Sequence, residues 1–243
     1  MRIIVATYFH ERFPMYEVHA MGVKRLREVF GVIPVVVCSS EAPHEEFVKK
    51  CGFDYYEHAN RPLGTKANYT ARLTKNYDPD YVIFLDADDI ISNTLMIEYM
   101  KCMEEGYDFI GVKDIYFYSL NPKRIKYGVF GHWGYEYRGP SNKNLGMAKC
   151  LSRSMLDKID WKPFNDRVNS GLDGTMRARI SPHKPKIAGI KVRENNLFCV
   201  DVKTQGNLNG IGNFELLELD PDMMYNHLPH DEVEAIKSLK KPW

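Results

Sequence analysis

The chain has 243 residues, 44% of them hydrophobic, which suffices for one well-buried core and sets a single domain over 1–243 as the expectation. No apolar run approaches the ~18–20 residues of a membrane crossing, and five cysteines at 38, 51, 102, 150 and 199, without Cys-x-x-Cys spacing, fit neither a disulfide framework nor a zinc site, so a soluble protein of the reducing cytoplasm is expected. The net charge of +1 hides an asymmetry: residues 121–203 carry 17 Lys plus Arg against 7 Asp plus Glu, so +10 there is balanced by −9 elsewhere, and this basic part either faces an anion or is a solvated surface.

Arg2-Ile3-Ile4-Val5-Ala6 reads as the first strand, without the charged and apolar pattern of a leader peptide, and Thr7 to Pro14 as a polar, aromatic loop. From Tyr16 to Phe30 the apolar positions Val18, Met21, Leu26, Val29 and Phe30 recur at helical spacing, with Gly31 as the stop. Ile33 to Cys38 is a second strand, Ser39 to Lys50 contains a short helix, and Phe53 to Tyr56 is a third strand. After a turn at Asn60-Arg61-Pro62-Leu63-Gly64, Thr65 to Asn76 carries helix formers. Ser92 or Asn93 caps a helix whose face is Met96, Tyr99, Met100 and Met103. Beyond it come strands at Asp108–Lys113 and Ile115–Leu120, an aromatic and glycine-rich segment from Tyr127 to Tyr137, short helices ending at Ile159 and opening at Asp173, strands at Lys186–Val192 and Leu197–Val202, a polar loop from Lys203, and an amphipathic tail.

This order is organised around Tyr81-Val82-Ile83-Phe84-Leu85-Asp86-Ala87-Asp88-Asp89. Five apolar residues ending in acids predict a buried parallel strand that delivers its charges to the crevice where open α/β sheets bind ligands. Three carboxylates within four residues repel one another, and a hard divalent cation, Mg²⁺ or Mn²⁺, offsets that crowding and can bridge to a diphosphate. The plainer alternative is that Asp86 and Asp89 cap the next helix and solvate a turn.

A βαβαβ half, an acidic cluster at a strand end and then a mixed half together resemble the GT-A fold glycosyltransferases, in particular the family-2-like group. The residues that carry the resemblance are Val5-Ala6-Thr7-Tyr8, Asn60…Gly64…Ala67-Asn68, Phe84-Leu85-Asp86-Ala87-Asp88-Asp89, and Leu172-Asp173 with Arg177 following. It implies an α/β, Rossmann-like nucleotide-diphospho-sugar transferase fold, with a central mixed, mostly parallel sheet flanked by helices, a nucleotide-binding half over 1–113 and an acceptor-binding half over 114–243. It further implies transfer of a sugar from a nucleotide-diphosphate donor, a UDP-sugar first, to the hydroxyl of a carbohydrate or other acceptor, anionic if the basic half meets it, with inversion at the sugar carbon. By that resemblance Asp86 contacts the ribose or the metal, and Asp88 ligates Mn²⁺ or Mg²⁺. Asp201 stands where a third ligand falls, with His227 and His230 as rivals. Asp173 matches the second member of the family's Glu-Asp pair and is the candidate base, with Asp166 in reserve; a helix N-cap is the equal alternative for Asp173. Thr7, Tyr8, Arg12, Ser39, Lys66 and Lys203 join Asp86 as donor-binding candidates, Arg72 could also reach the diphosphate, and His132 and Trp133 offer faces for an acceptor sugar. Where the family carries base-reading acids after the second strand, this chain has Cys38-Ser39-Ser40-Glu41, which leaves the nucleotide open.

Other classes fit less well. Haloacid-dehalogenase-like phosphatases place Asp-x-Asp at the end of the first strand, not after more than eighty residues. A dehydrogenase needs Gly-x-Gly-x-x-Gly at the first strand-helix turn, and a sugar-phosphate nucleotidyltransferase a glycine-rich loop there; Thr7-Tyr8-Phe9-His10-Glu11-Arg12 contains no glycine. A turnover-deficient module binding carbohydrate or nucleic acid, a DNA-modifying transferase, and a retaining transferase, which Lys241-Pro242-Trp243 faintly suggests, stay open.

Overall fold

A computed structural model of the protein describes residues 1–9, 13–38, 44–120, 123–129, 147–203 and 217–239. Arg12, Ser39, His132, Trp133 and the terminal Lys241-Pro242-Trp243 lie outside the described residues, as does the side chain of Lys203. The first half runs β1 (Ile3–Phe9), α1 (Phe13–Phe30), β2 (Ile33–Cys38), α2 (His44–Lys50), β3 (Asp54–Glu57), α3 (Leu63–Thr74), β4 (Tyr81–Phe84), β5 (Asp89–Ile91) and α4 (Asn93–Glu104). The second runs β6 (Phe109–Val112), β7 (Asp114–Leu120), β8 (Lys123–Val129), β9 (Lys149–Ser152), α5 (Arg153–Lys158), α6 (Leu172–Ile180), β10 (Ile187–Ile190), β11 (Cys199–Lys203), β12 (Leu217–Leu219) and α7 (His230–Ser238).

Seven strands form the main sheet in the order β10-β6-β9-β4-β1-β2-β3, parallel except for β9, which runs antiparallel to both β4 and β6. Strand residues alternate between two cores. Ile3, Val5 and Ile83 join α1 and α4 residues such as Tyr16, Leu26, Leu95 and Tyr99. Ile4, Ala6, Val82 and Phe84 face Ala67 and Ala71 of α3, Met155 of α5 and Met176 of α6. Both faces are therefore covered, as a parallel sheet requires. A second sheet, β12-β8-β7-β11-β5, branches from the chain directly after the acidic cluster. The Met-rich face of α4 is core as expected: Met96, Tyr99 and Met103 are buried.

The structure corrects the sequence reading in three places that matter for the site. β1 continues through Phe9, so Thr7 and Tyr8 lie in the strand and not in a loop. Asp89 begins a strand instead of capping a helix, because Ser92 performs that role, its hydroxyl accepting the Leu95 amide. Lys149 to Ser152 is also a strand, wedged between β4 and β6. All five cysteines are free, and among the described residues no helix is long and apolar enough to cross a membrane.

Candidate active site

Parallel pairing sets Ala6 beside Phe84, and the Leu85 amide extends the ladder to the Ala6 carbonyl at 3.1 Å, so Tyr8 and Asp86 emerge together at the carboxyl edge of the sheet. There the Tyr8 hydroxyl donates to the Asp86 carboxylate. On the other side of β4, Lys149 is in register with Phe84, and its ammonium donates to Asp173 Oδ1 from the first turn of α6. Asp173 acts electrostatically on both Tyr8 and Asp86. Four segments distant in sequence thus meet at this edge of the sheet.

Beyond Asp86 the chain folds over, the Asp89 amide donating to the Asp86 carbonyl at 2.9 Å, and enters β5. β5 pairs antiparallel with β11, which sets Asp201 opposite Asp89 and brings the Val202 amide to the Asp88 carbonyl at 2.9 Å. Asp201 therefore lies one position out of register with Asp88, on the strand beside the turn that carries it, and Asp88 and Asp89 are buried. His19 of α1 props this turn from below, Nδ1 lying 3.2 Å from the Asp89 carbonyl and Nε2 3.1 Å from the Thr7 hydroxyl. Burial pushes its pKa down to about 4, which keeps the imidazole neutral; Nδ1–H then donates to the carbonyl and Nε2 accepts the hydroxyl.

The same surroundings act oppositely on Asp86. Burial first, then the Asp88 charge, push its pKa up to about 6, with Asp173 adding to the rise while the Tyr8 hydrogen bond and the Lys149 ammonium oppose it. Surroundings that resist ionising a carboxylate favour positive charge. Among the described residues no three His, Cys, Asp or Glu side chains are gathered as a ready-made metal cage. That is compatible with Mg²⁺ or Mn²⁺, for Mg²⁺ keeps several waters and is held through one or two carboxylates plus substrate phosphates, not by an all-protein shell.

The other sequence candidates fall elsewhere. Lys66 is 0% exposed; its ammonium donates to the Phe9 carbonyl at 2.5 Å and lies 3.4 Å from Asn60 Oδ1, which anchors the end of β1. Asp166, the reserve base, accepts a hydrogen bond from Asn68 at 2.8 Å as part of a bracket between α3 and the segment before α6. Thr65 and Gly64 complete that bracket, donating to the carbonyls of Asp166 and Val168, each at 2.9 Å. A Cβ on Gly64 would lie 1.8 Å from the Asn165 carbonyl oxygen, so only glycine allows this approach, and the approach carries α6 and Asp173 toward the sheet. Arg72 is exposed on α3, His227 stacks on Phe198, and His230 tilts against Tyr225. Two participants escaped the sequence reading: Lys149, whose signal was a lysine inside the apolar run Met147-Ala148-Lys149-Cys150-Leu151, and His19, which is indistinguishable there from any polar residue of an amphipathic helix.

No protein-family model matches the sequence, and no curated protein matches it. Solved structures do match the fold. The mannosyltransferase PcManGT of Pyrobaculum calidifontis, in complex with GDP-Man and Mn²⁺, is similar at 14% identity and a TM-score of 0.61, over 84% of this chain and 58% of that one. TarS 1–349 of S. aureus, in complex with UDP, gives 15% identity and 0.55 over 84% and 61%. Glucosyl-3-phosphoglycerate synthase of Mycobacterium tuberculosis, in complex with Mg²⁺ and UDP, gives 15% and 0.53 over 78% and 69%. The chain thus spans less than two thirds of the first two. Element order, the mostly parallel sheet with its one reversed strand, and these likenesses together establish that the chain has the GT-A-like fold of nucleotide-diphospho-sugar transferases.

Proposed function

We propose that the protein is a metal-dependent glycosyltransferase that moves a sugar from a nucleotide-diphosphate donor to an acceptor hydroxyl with inversion. The observation that carries this reading is the convergence of Asp86, Tyr8, Lys149 and Asp173 at the carboxyl edge of β4, with Asp88 in the turn that follows. The three solved neighbours hold UDP or GDP-Man, which supports a nucleoside diphosphate here, uridine first.

In this reading Asp88 and Asp86 would hold Mg²⁺ or Mn²⁺, with Asp201, opposite Asp89 on β11, as the further candidate ligand, and the ion when bound would neutralise the charge that develops on the departing diphosphate. The Tyr8 hydroxyl, its own pKa raised well above the ordinary value by burial and by Asp86, stays protonated and keeps the Asp86 carboxylate oriented. Asp173 is half-exposed toward solvent, with Oδ1 occupied by Lys149. Its second oxygen takes the proton of the acceptor hydroxyl as that oxygen bonds to the sugar C1 and the C1–phosphate bond breaks. The +10 balance of residues 121–203 favours an anionic acceptor.

The test is release of free nucleoside diphosphate from a panel of sugar nucleotides with Mn²⁺. Release that disappears in Asp88→Ala, at unchanged thermal stability, is the expected result. Silence across the panel with retained nucleotide binding would replace the transferase by a binding module.

A further inference from the structure

We propose that Lys149 is a positioning residue of the transfer reaction, occupying Oδ1 of Asp173 so that Oδ2 is presented to the acceptor hydroxyl. This rests on the reading of Asp173 as the base. Asp173 is the second residue of α6, a nine-residue helix whose N-cap is Gly171 at φ 69, with no side-chain cap. Its side chain is 52% exposed, against 5% for Lys149. A carboxylate so placed has several open rotamers, and nothing in its own helix selects one. The ammonium of Lys149 does, from a strand fixed by pairing to β4 on one side and β6 on the other.

Fold stability does not account for this lysine. Removing an ammonium from water costs more than a pair with a half-exposed carboxylate returns, and an apolar side chain of similar volume at such a site is often neutral or stabilising. Lys149 also opposes the crowding of negative charge around Asp86, so it faces the two carboxylates between which the reacting groups would lie. A lysine retained in the main sheet at that cost, bonded to the one carboxylate at the head of α6, acts on chemistry and not on packing.

The experiment uses the full chain with Mn²⁺, UDP as the binding probe, and whichever sugar nucleotide the wild type turns over. Lys149→Met is expected to lower kcat for diphosphate release by about 10–100-fold while KM for the donor stays within about threefold, the pattern of lost alignment. Lys149→Arg is expected to restore part of kcat. The double variant Lys149→Met/Asp173→Asn should be no slower than Asp173→Asn alone, since both remove one function. Should Lys149→Met not fold, Lys149→Gln takes its place with the same expectations. Wild-type kcat in the Lys149 variant, or losses that multiply in the double variant, overturn the inference. So does unchanged kcat with KM or the UDP Kd raised more than about tenfold, which would make Lys149 a donor-phosphate ligand. A wild type that binds no UDP and releases no diphosphate defeats the transferase reading and the inference with it, whereas an active wild type with an indifferent Lys149 variant defeats the inference alone.

Discussion

Asp86→Asn is expected to stabilise the protein near neutral pH while removing function. The pKa of Asp86 rises from 3.8 to about 6 on folding, chiefly through burial and Asp88. For a raised pKa the folded state holds the proton more tightly than the unfolded one. Its contribution to stability is therefore complete below the unfolded value and is lost as pH rises through about 6. Above that pH the ionised carboxylate costs about 3 kcal/mol, at about 1.4 kcal/mol per pKa unit. An asparagine avoids this cost but accepts the Tyr8 hydroxyl less strongly than a carboxylate, giving back about 1 kcal/mol. The net gain at pH 7.5 is about 2 kcal/mol, or a Tm higher by about 4–8 °C for a chain of this size. Urea denaturation of both proteins between pH 4.5 and 8, with divalent cations chelated, measures it: the Asn variant should lead at pH 7.5 and lose its lead as pH falls to 4.5. A variant no more stable than wild type at pH 7.5, or a lead independent of pH, refutes the account of a crowded, desolvated carboxylate.

Glu232→Ala breaks a buried pair: Arg25 Nε donates to Glu232 Oε1 at 2.7 Å and Nη2 to Oε2 at 3.1 Å, with side chains 9% and 4% exposed. Leaving the guanidinium unpaired is expected to cost about 3–5 kcal/mol, read as a lower urea midpoint at unchanged slope. Gly64→Ala puts a methyl group on the Asn165 carbonyl; an expected loss of about 1–3 kcal/mol should be accompanied by lost diphosphate release, because the displaced segment leads to α6. Ser92→Ala removes the α4 cap and is expected to cost about 1 kcal/mol by thermal denaturation.

The βαβαβ half and the acidic strand end were legible because a parallel sheet buried on both faces writes itself as short, continuous apolar runs, as in Val35-Val36-Val37 and Tyr81 to Leu85. What was not legible depends on pairing between distant segments. Lys149-Cys150-Leu151-Ser152 is too short to declare itself a strand, and only its position between β4 and β6 makes it one. Asp89 was equally readable as a helix cap, and the extended form of Asp89-Ile90-Ile91 as a separate strand comes from β11, more than a hundred residues later. Lys66 shows the same dependence: on a helix beside a glycine turn it has the pattern of a phosphate ligand, and its bond to the Phe9 carbonyl at the end of a longer β1 comes only with the fold.

The crowding of carboxylates at β4 persists because the scaffold does not let them separate. β5 is held at its edge by β11, beneath by His19 through the Asp89 carbonyl, and at its end by Arg25, whose Nη2 donates to the Ile91 carbonyl at 2.7 Å. The same guanidinium reaches Asn93 at the start of α4 and Glu232 on α7, so the C-terminal helix helps to fix the turn that carries Asp88. Repulsion among charges on flexible loops would relax by motion. Here it relaxes only by neutralisation, through a proton on Asp86, the ammonium of Lys149 or a bound cation. A site with its dipoles and charges fixed in advance spends no reorganisation when charge moves during a reaction, which is the form electrostatic preorganisation takes in transfer enzymes. The raised pKa of Asp86 and the buried Arg25–Glu232 pair are therefore two sides of one arrangement: the second supplies the rigidity that the first requires.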